Sequence, residues 1–412
     1  MTHLDLDFVR AQFPAFSEPS LDGFAHFENA GGSYACRQTI AWLERYYRET
    51  KVQPYYPAAP SQLAGVQMDA AKARLAAWLN VSTDELHFGP STSQNSYVIA
   101  QALRQSLRPG DEIIVTNQDH EANVGVWRRL ETAGVTVREW QVDPLTAELN
   151  PEDLDPLLTS KTRIVAFTHC SNVVATINPA REITERIHAA GARAIVDGVA
   201  YCPHGLPDLE ELGADVYFFS LYKVYGPHLG AMVVRREFAR ELPHQGHFFN
   251  ESKPATRFTP AGPDHAQIAA VNGVMDYLDA VASRHGCADL PAPARAAAVR
   301  ELFRRHETGL LQPLLDFLEE HPRIKLIGRR AATERAPTVA FTVDGYSPMQ
   351  FATDLAEMRL GLGAGHFYAC RLVQALHIDP DEGVLRASFV HYTSKDEVTR
   401  LIDGLDRLTQ LT

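Results

Sequence analysis

The chain is expected to fold as an α/β protein: a large domain with a mostly parallel sheet and helices on both faces, followed by a smaller α+β C-terminal domain. Three observations predict this. From about residue 60, helix-like and strand-like patterns alternate as far as the apolar run at 214–219, the signature of βαβ units. The 412 residues exceed one ordinary domain. The Ala/Pro-rich stretch 288–298 marks a composition shift, after which the strand-like runs become shorter. The expected division is an N-terminal segment, 1–20, packing with the small domain, a large domain at 21–287 and a small domain at 288–412.

The elements follow in order. A short helix is expected within the first twenty residues, before Pro14 and Pro19. Ala and Leu at helical spacing predict a helix over 64–79. A second helix starts after Gly89-Pro90-Ser91-Thr92-Ser93 and runs to about 107. A strand at 112–116, a helix over 123–133, and strands at 136–140 and 162–168 come next. A helix starts near Pro179, and strands end at 196 and 219. Beyond the composition shift the pattern predicts a helix, short strands at 337–343, a helix at 349–358, a strand at 384–390 and a helix at 396–408.

Composition narrows the function classes. Lys plus Arg total 39 against 51 Asp plus Glu, for a net charge of −12. With no basic run, the chain lacks the electrostatic footprint of a nucleic-acid or anionic-membrane binder. No apolar stretch reaches the roughly 18 residues of a transmembrane helix, and the acidic start Met-Thr-His-Leu-Asp-Leu-Asp does not read as a signal peptide. Five scattered cysteines suggest reduced thiols and a cytoplasmic location rather than a disulfide framework. His169-Cys170 and Cys202-Pro203-His204 lack the paired spacing of structural zinc sites and are read as core and loop residues.

The segment Phe218-Phe219-Ser220-Leu221-Tyr222-Lys223-Val224-Tyr225-Gly226-Pro227 carries the chemistry. A lysine follows one strand-like run, and Asp197 ends the run before it. A lysine able to lose its proton and a carboxylate able to hold a ring nitrogen protonated are what pyridoxal 5′-phosphate requires. Ser91, Thr92 and Ser93 before a helix offer hydroxyls and backbone N–H groups to a phosphate. His120, after the strand at 112–116, lies where a ring could stack on the cofactor. Taken singly, each has a plainer reading: an N-cap, a turn aspartate, a surface lysine, a structural histidine.

Together with Asp119-His120-Glu121-Ala122-Asn123, Ser171-Asn172-Val173-Val174-Ala175-Thr176-Ile177-Asn178-Pro179, Val196-Asp197-Gly198 and Arg386-Ala387-Ser388, these motifs resemble the class V aminotransferase, cysteine desulfurase-like family of fold-type I pyridoxal phosphate enzymes. The resemblance runs from Phe27-Glu28-Asn29-Ala30-Gly31 to the last helix. It implies that Lys223 carries the cofactor and shuttles the proton, that Asp197 pairs with the pyridine nitrogen and that His120 stacks on the ring. It further implies that Thr92, Ser93 and Ser220 hold phosphate, with Tyr222 able to donate its phenol, and that Asn172 contacts the cofactor O3′ side or the substrate. Arg386 would bind the substrate carboxylate. The implied protein is a homodimer acting on an amino acid through an external aldimine and Cα deprotonation, with a lyase, aminotransferase or racemase outcome. A cysteine desulfurase and a non-catalytic binding protein of the same fold are the alternatives.

Departures from the family pattern bear on the outcome. Ala200 stands where a glutamine is usual and Tyr222 where a histidine precedes the lysine. Ala261-Gly262 replaces the Gly-Thr pair that reaches the neighbouring subunit's phosphate. In Gly365-His366-Phe367-Tyr368-Ala369-Cys370, Tyr368 takes the position of the sulfur-accepting cysteine and Cys370 comes two residues late. Cys370 is therefore expected to be a buried, inert thiol.

Overall fold

Seven strands make the larger sheet in the computed structural model, which describes residues 3–410. They are β1 (Leu86–Gly89), β2 (Glu112–Thr116), β3 (Thr136–Trp140), β4 (Thr162–Thr168), β5 (Arg193–Asp197), β6 (Val216–Ser220) and β7 (Gly230–Val234). Their order is β1-β7-β6-β5-β4-β2-β3. Neighbours from β6 to β3 are parallel, and β7 runs antiparallel to both β1 and β6. Strands covered on both faces must be apolar on both, and runs such as Val216-Tyr217-Phe218-Phe219 are. Alternation then sorts them. Tyr217 and Phe219 join one buried cluster with Val165, Phe167 and Val196. Val216 and Phe218 join a second with Ile164, Ala166 and Ile195.

A four-stranded antiparallel sheet follows: β8 (Ile324–Ile327), β9 (Thr338–Val343), β10 (Gly363–Gly365) and β11 (Val384–Ser388), in the order β10-β11-β9-β8. Helices Pro348–Glu357 and Lys395–Gln410 share its apolar core, which includes Phe341, Phe351, Leu385 and Leu401. Helix Ala292–Glu320 serves both cores. Ala296, Val299 and Phe303 belong to the larger one, and Leu310, Leu311, Leu314, Leu315 and Leu318 to the smaller.

The N-terminal segment touches residues of both sheets' surroundings. In helix Leu6–Arg10, Arg10 pairs with Glu397 at 2.8 Å; just before it, Asp5 pairs with Arg284 at 2.6 Å. Phe13 packs edge-on against Tyr225, Tyr277 and Tyr392. Ala25–His26 pairs with Leu360–Gly361, and Ser388 N–H donates to the Phe27 carbonyl, so residues 27–31 lie alongside β11.

The structure corrects one predicted element. The helix expected over 123–133 is three short pieces, Glu121–Asn123, Gly125–Arg128 and Arg129–Ala133. Val124, Gly125 and Val126 are poor helix formers in sequence, and Val124 leaves helical geometry at φ −126°. Elements that went unread include β1, β7 and the 20-residue helix His265–Arg284. The first two are short and carry Gly or His. The helix is so richly apolar that its periodicity is lost. Among the described residues, no helix is long and apolar enough to cross a membrane.

Candidate active site

The carboxyl ends of β1, β2, β4, β5 and β6 converge on one edge of the larger sheet, and each delivers a polar side chain there. Open α/β sheets bind ligands at that edge, where strand order reverses. Here β2 has β3 on one side and β4 on the other.

β1 leads into helix Thr92–Ser106, whose N-cap Ser91 accepts the Gln94 N–H at 3.2 Å. Thr92, the first helical residue, is buried, with its Oγ1 2.7 Å from Oγ of Ser220 at the end of β6. Two hydroxyls thus meet at the positive end of a helix, a natural place for an anion. Gly230 of β7 is pressed against this turn, since a Cβ there would lie 2.4 Å from the Ser91 carbonyl carbon. Ser93 is exposed, with its carbonyl bonded by Ser96.

Asp197 ends β5 and is buried, accepting the Val199 N–H at 2.8 Å. Burial holds its pKa above the usual carboxylate value, against the backbone N–H and the charge of Lys223. Lys223 follows β6 in the 3-10 turn Leu221–Lys223 and is only 7% exposed. Burial, then the Arg386 cation, depress its pKa to about 8, with Asp197 and Glu28 opposing. Tyr222 stacks on His228 with ring centroids 4.9 Å apart and lies 5.8 Å from Lys223 Nζ.

His120 follows β2. Its Nδ1 accepts the Ala122 N–H at 3.0 Å, so the proton of the neutral ring sits on Nε2. Burial, Lys223 and Arg386 push its pKa down to about 4, which keeps the ring neutral. The ring of Tyr368 lies over it at 5.1 Å, and the Tyr368 carbonyl accepts the Glu121 N–H at 2.7 Å. The neighbouring Asp119 is wholly internal and accepts bonds from Thr116, Asn123 and the Thr168 N–H.

β11 brings Arg386 to the same place from the smaller sheet. Its guanidinium is buried, donates Nη1–H to the Asn172 carbonyl at 2.9 Å, pairs with Glu28 and lies 3.7 Å over the Phe367 ring. Asn172, after β4, donates Nδ2–H to the Phe367 carbonyl at 2.8 Å, leaving a buried Oδ1 with no partner. Phe367 and Tyr368 both have left-handed backbones, φ 50° and 60°, so the loop turns tightly between Arg386 and His120. Cys370 begins the short helix Cys370–Ala375 beyond it and is half-buried.

The structure therefore brings Lys223, Asp197, His120, Asn172 and Arg386 into one neighbourhood, with the Thr92 and Ser220 hydroxyls paired at the N-terminus of helix Thr92–Ser106. It sends Ser93 to the surface and stacks Tyr222 against His228. Glu28, Phe367 and Tyr368 were not read as site residues. Their signal was a Glu-Asn-Ala-Gly turn and an aromatic pair whose roles depend on distant strands. His169 bonds Tyr217 at 2.9 Å and stacks on Tyr201, and His204 pairs with Glu307 at 3.0 Å. Among the described residues, no group of three or more His, Cys, Asp or Glu is placed to hold a metal.

Comparison with known proteins adds an independent line. The profile of the family described as Aminotransferase class-V matches residues 25–401. The chain is 35% identical to the aminotransferase-like protein FGM3 of Gibberella zeae, over 97% of each chain. It is 30% identical to the cysteine desulfurase-like protein ustD of Aspergillus flavus, over 98% of this chain and 91% of that protein. A solved cysteine desulfurase from Thermococcus onnurineus superimposes over 100% of both chains with a TM-score of 0.87, at 21% identity, a likeness of fold.

Proposed function

Because the chain belongs to the aminotransferase class-V family, we propose that it is a pyridoxal 5′-phosphate enzyme that anchors an α-amino acid by its carboxylate and removes the Cα proton. One observation carries this reading: a buried lysine, its pKa brought to about 8, beside a buried carboxylate and a buried guanidinium. The residues fit the cofactor. Asp197 is a desolvated carboxylate suited to a ring cation, Asn172 Oδ1 lacks a partner, and the Thr92 and Ser220 hydroxyls meet at a helix N-terminus.

When bound, pyridoxal phosphate supplies an electron sink that acidifies the Cα proton of an attached amino acid. Each residue then has one task. Lys223 Nζ would hold the cofactor by its aldehyde and would receive the Cα proton of the substrate. Asp197 would keep the pyridine nitrogen protonated. Neutral His120 would offer its ring face and an Nε2–H. Thr92 Oγ1, Ser220 Oγ and the first N–H groups of helix Thr92–Ser106 would hold phosphate. Tyr222 and Ser93 lie at the margin of this set. Arg386 receives the substrate carboxylate with a planar fork, and Asn172 orients the reactants.

The proton's destination separates elimination, transamination and racemisation. A panel of α-amino acids, with products read by mass spectrometry, tests the proposal; no product from any amino acid would leave a non-catalytic binding protein. Tyr368 beside His120 disfavours persulfide chemistry, because no thiol stands at that turn. L-Cysteine turnover is accordingly expected to change less than about twofold in Cys370→Ser, whereas a loss of about 100-fold or more would restore the desulfurase reading.

A homodimer is supported by exposed apolar side chains. Ile40 and Tyr47 on helix Arg37–Glu49, Leu63 and Val66 on helix Ala59–Trp78, and Tyr55 and Tyr56 between them are all exposed, apolar surface that pairing could cover. Sedimentation should give the mass of two chains, and a single-chain mass would refute it. The five cysteines carry no disulfide, in keeping with a cytoplasmic protein.

A further inference from the structure

Arg386 already has a carboxylate partner. Its Nη2 pairs with Glu28 Oε1, while its Nε and Glu28 Oε2 are buried without partners. The two residues differ in their access to water: the Arg386 side chain is 3% exposed and that of Glu28 30%. Two glycines leave room for the Glu28 carboxylate. A Cβ at Gly31 would lie 2.8 Å from Oε1, and one at Gly363 would lie 2.7 Å from Oε2. A side chain at either position would crowd the acid off the guanidinium.

We propose that Glu28 is a specificity-determining residue of the substrate site: a displaceable carboxylate that occupies Arg386 until a substrate carboxylate replaces it, and so sets how strongly the site demands one. The proposal rests on Arg386 as the carboxylate receptor. A buried guanidinium stripped of its partner is costly, and Glu28 spares the free protein that cost. An arriving α-carboxylate trades one ion pair for another, so its net gain is the small difference between two similar pairs. The displaced Glu28, whose side chain is already partly exposed, rotates outward. An amine that lacks a carboxylate leaves Glu28 where it is and leaves Arg386 paired. Glu28 thus narrows the preference for amino acids over simple amines, and its removal widens it.

Calorimetric titration of the cofactor-loaded protein with propionate, which carries the carboxylate but no reactive amine, tests this directly. Glu28→Gln is expected to bind propionate about tenfold more tightly than the unaltered protein, the scale of one charge-assisted contact. The ratio of L-alanine to ethylamine affinity, read from the cofactor absorbance, should rise by about the same factor. Glu28→Asp, which keeps the charge but shortens the reach, should shift both in the same direction by less, and it serves if the glutamine variant fails to fold. Unchanged or weaker propionate binding in these variants, or no binding to any of them, overturns the proposal. Arg386→Lys distinguishes the two layers. If it leaves propionate affinity intact, the receptor reading itself falls. If it abolishes binding while Glu28→Gln has no effect, only the displaceable carboxylate falls.

Discussion

Lys223→Ala is expected to lower turnover of any amino-acid substrate by about 10³-fold or more and to remove the visible absorbance of the covalently held cofactor. Both effects come from one nitrogen. In the proposed reaction Nζ serves both as the nucleophile for the aldehyde and as the base for the Cα proton, and no other side chain of the site replaces it: His120 has its Nδ1 engaged by the Ala122 N–H. The pH dependence of capture gives a second check. Only the neutral amine attacks, and burial together with Arg386 lowers the pKa to about 8. The sign is fixed by that direction: a depressed pKa means that the reactive form accumulates at lower pH. At pH 7.5 roughly a quarter of Lys223 is neutral, against about one in a thousand for an ordinary lysine. Uptake of pyridoxal phosphate by cofactor-free protein, followed by absorbance, should therefore rise with pH with a midpoint near 8. A midpoint above 10, or an unchanged spectrum in Lys223→Ala, would count against the assignment.

Asp197→Asn should leave the cofactor bound but cut turnover by about 10²–10³-fold, the usual cost of losing a preorganised electrostatic partner. The asparagine has nearly the same shape and still accepts the Val199 N–H, so retention through Lys223, Thr92 and Ser220 survives. What disappears is the negative charge that, in the proposed role, keeps the ring nitrogen protonated. The same change should raise, or at least not lower, the melting temperature of cofactor-free protein. A buried carboxylate whose pKa is held up by desolvation is a cost to the empty fold. Activity and stability moving in opposite directions is a pattern that a merely structural aspartate would not give. A variant that loses both together refutes the role.

The larger sheet was legible because its parallel strands are buried on both faces and read as apolar runs, each with a polar residue at its carboxyl end. Asp197, His120 and Lys223 all stand directly after such runs, so their shared edge follows from strand direction. The antiparallel β7 was not legible, because Gly230-Ala231-Met232-Val233-Val234 carries no mark of its direction. Nor was the Glu28–Arg386 pair, whose members are 358 residues apart and meet only because residues 27–31 lie alongside β11. Tyr368 was noticed as a departure from a motif, yet its contact with His120 depends on two consecutive left-handed residues that no composition rule predicts.

Helix Ala292–Glu320 has a mechanical consequence. It is a rod planted at one end in the core that carries Lys223 and at the other in the core that carries Arg386. Relative motion of the two would load it, and rods bend where they are weakest. That point lies at Gly309 and Pro313: the proline cannot donate a hydrogen bond to the carbonyl four residues back, which belongs to the glycine. The soft joint lies past Phe303, the last of the larger core's residues on this helix, where the leucine-rich stretch from Leu310 that the smaller core claims begins. A flexure at residues 309–313 would change the separation of the amine from the guanidinium.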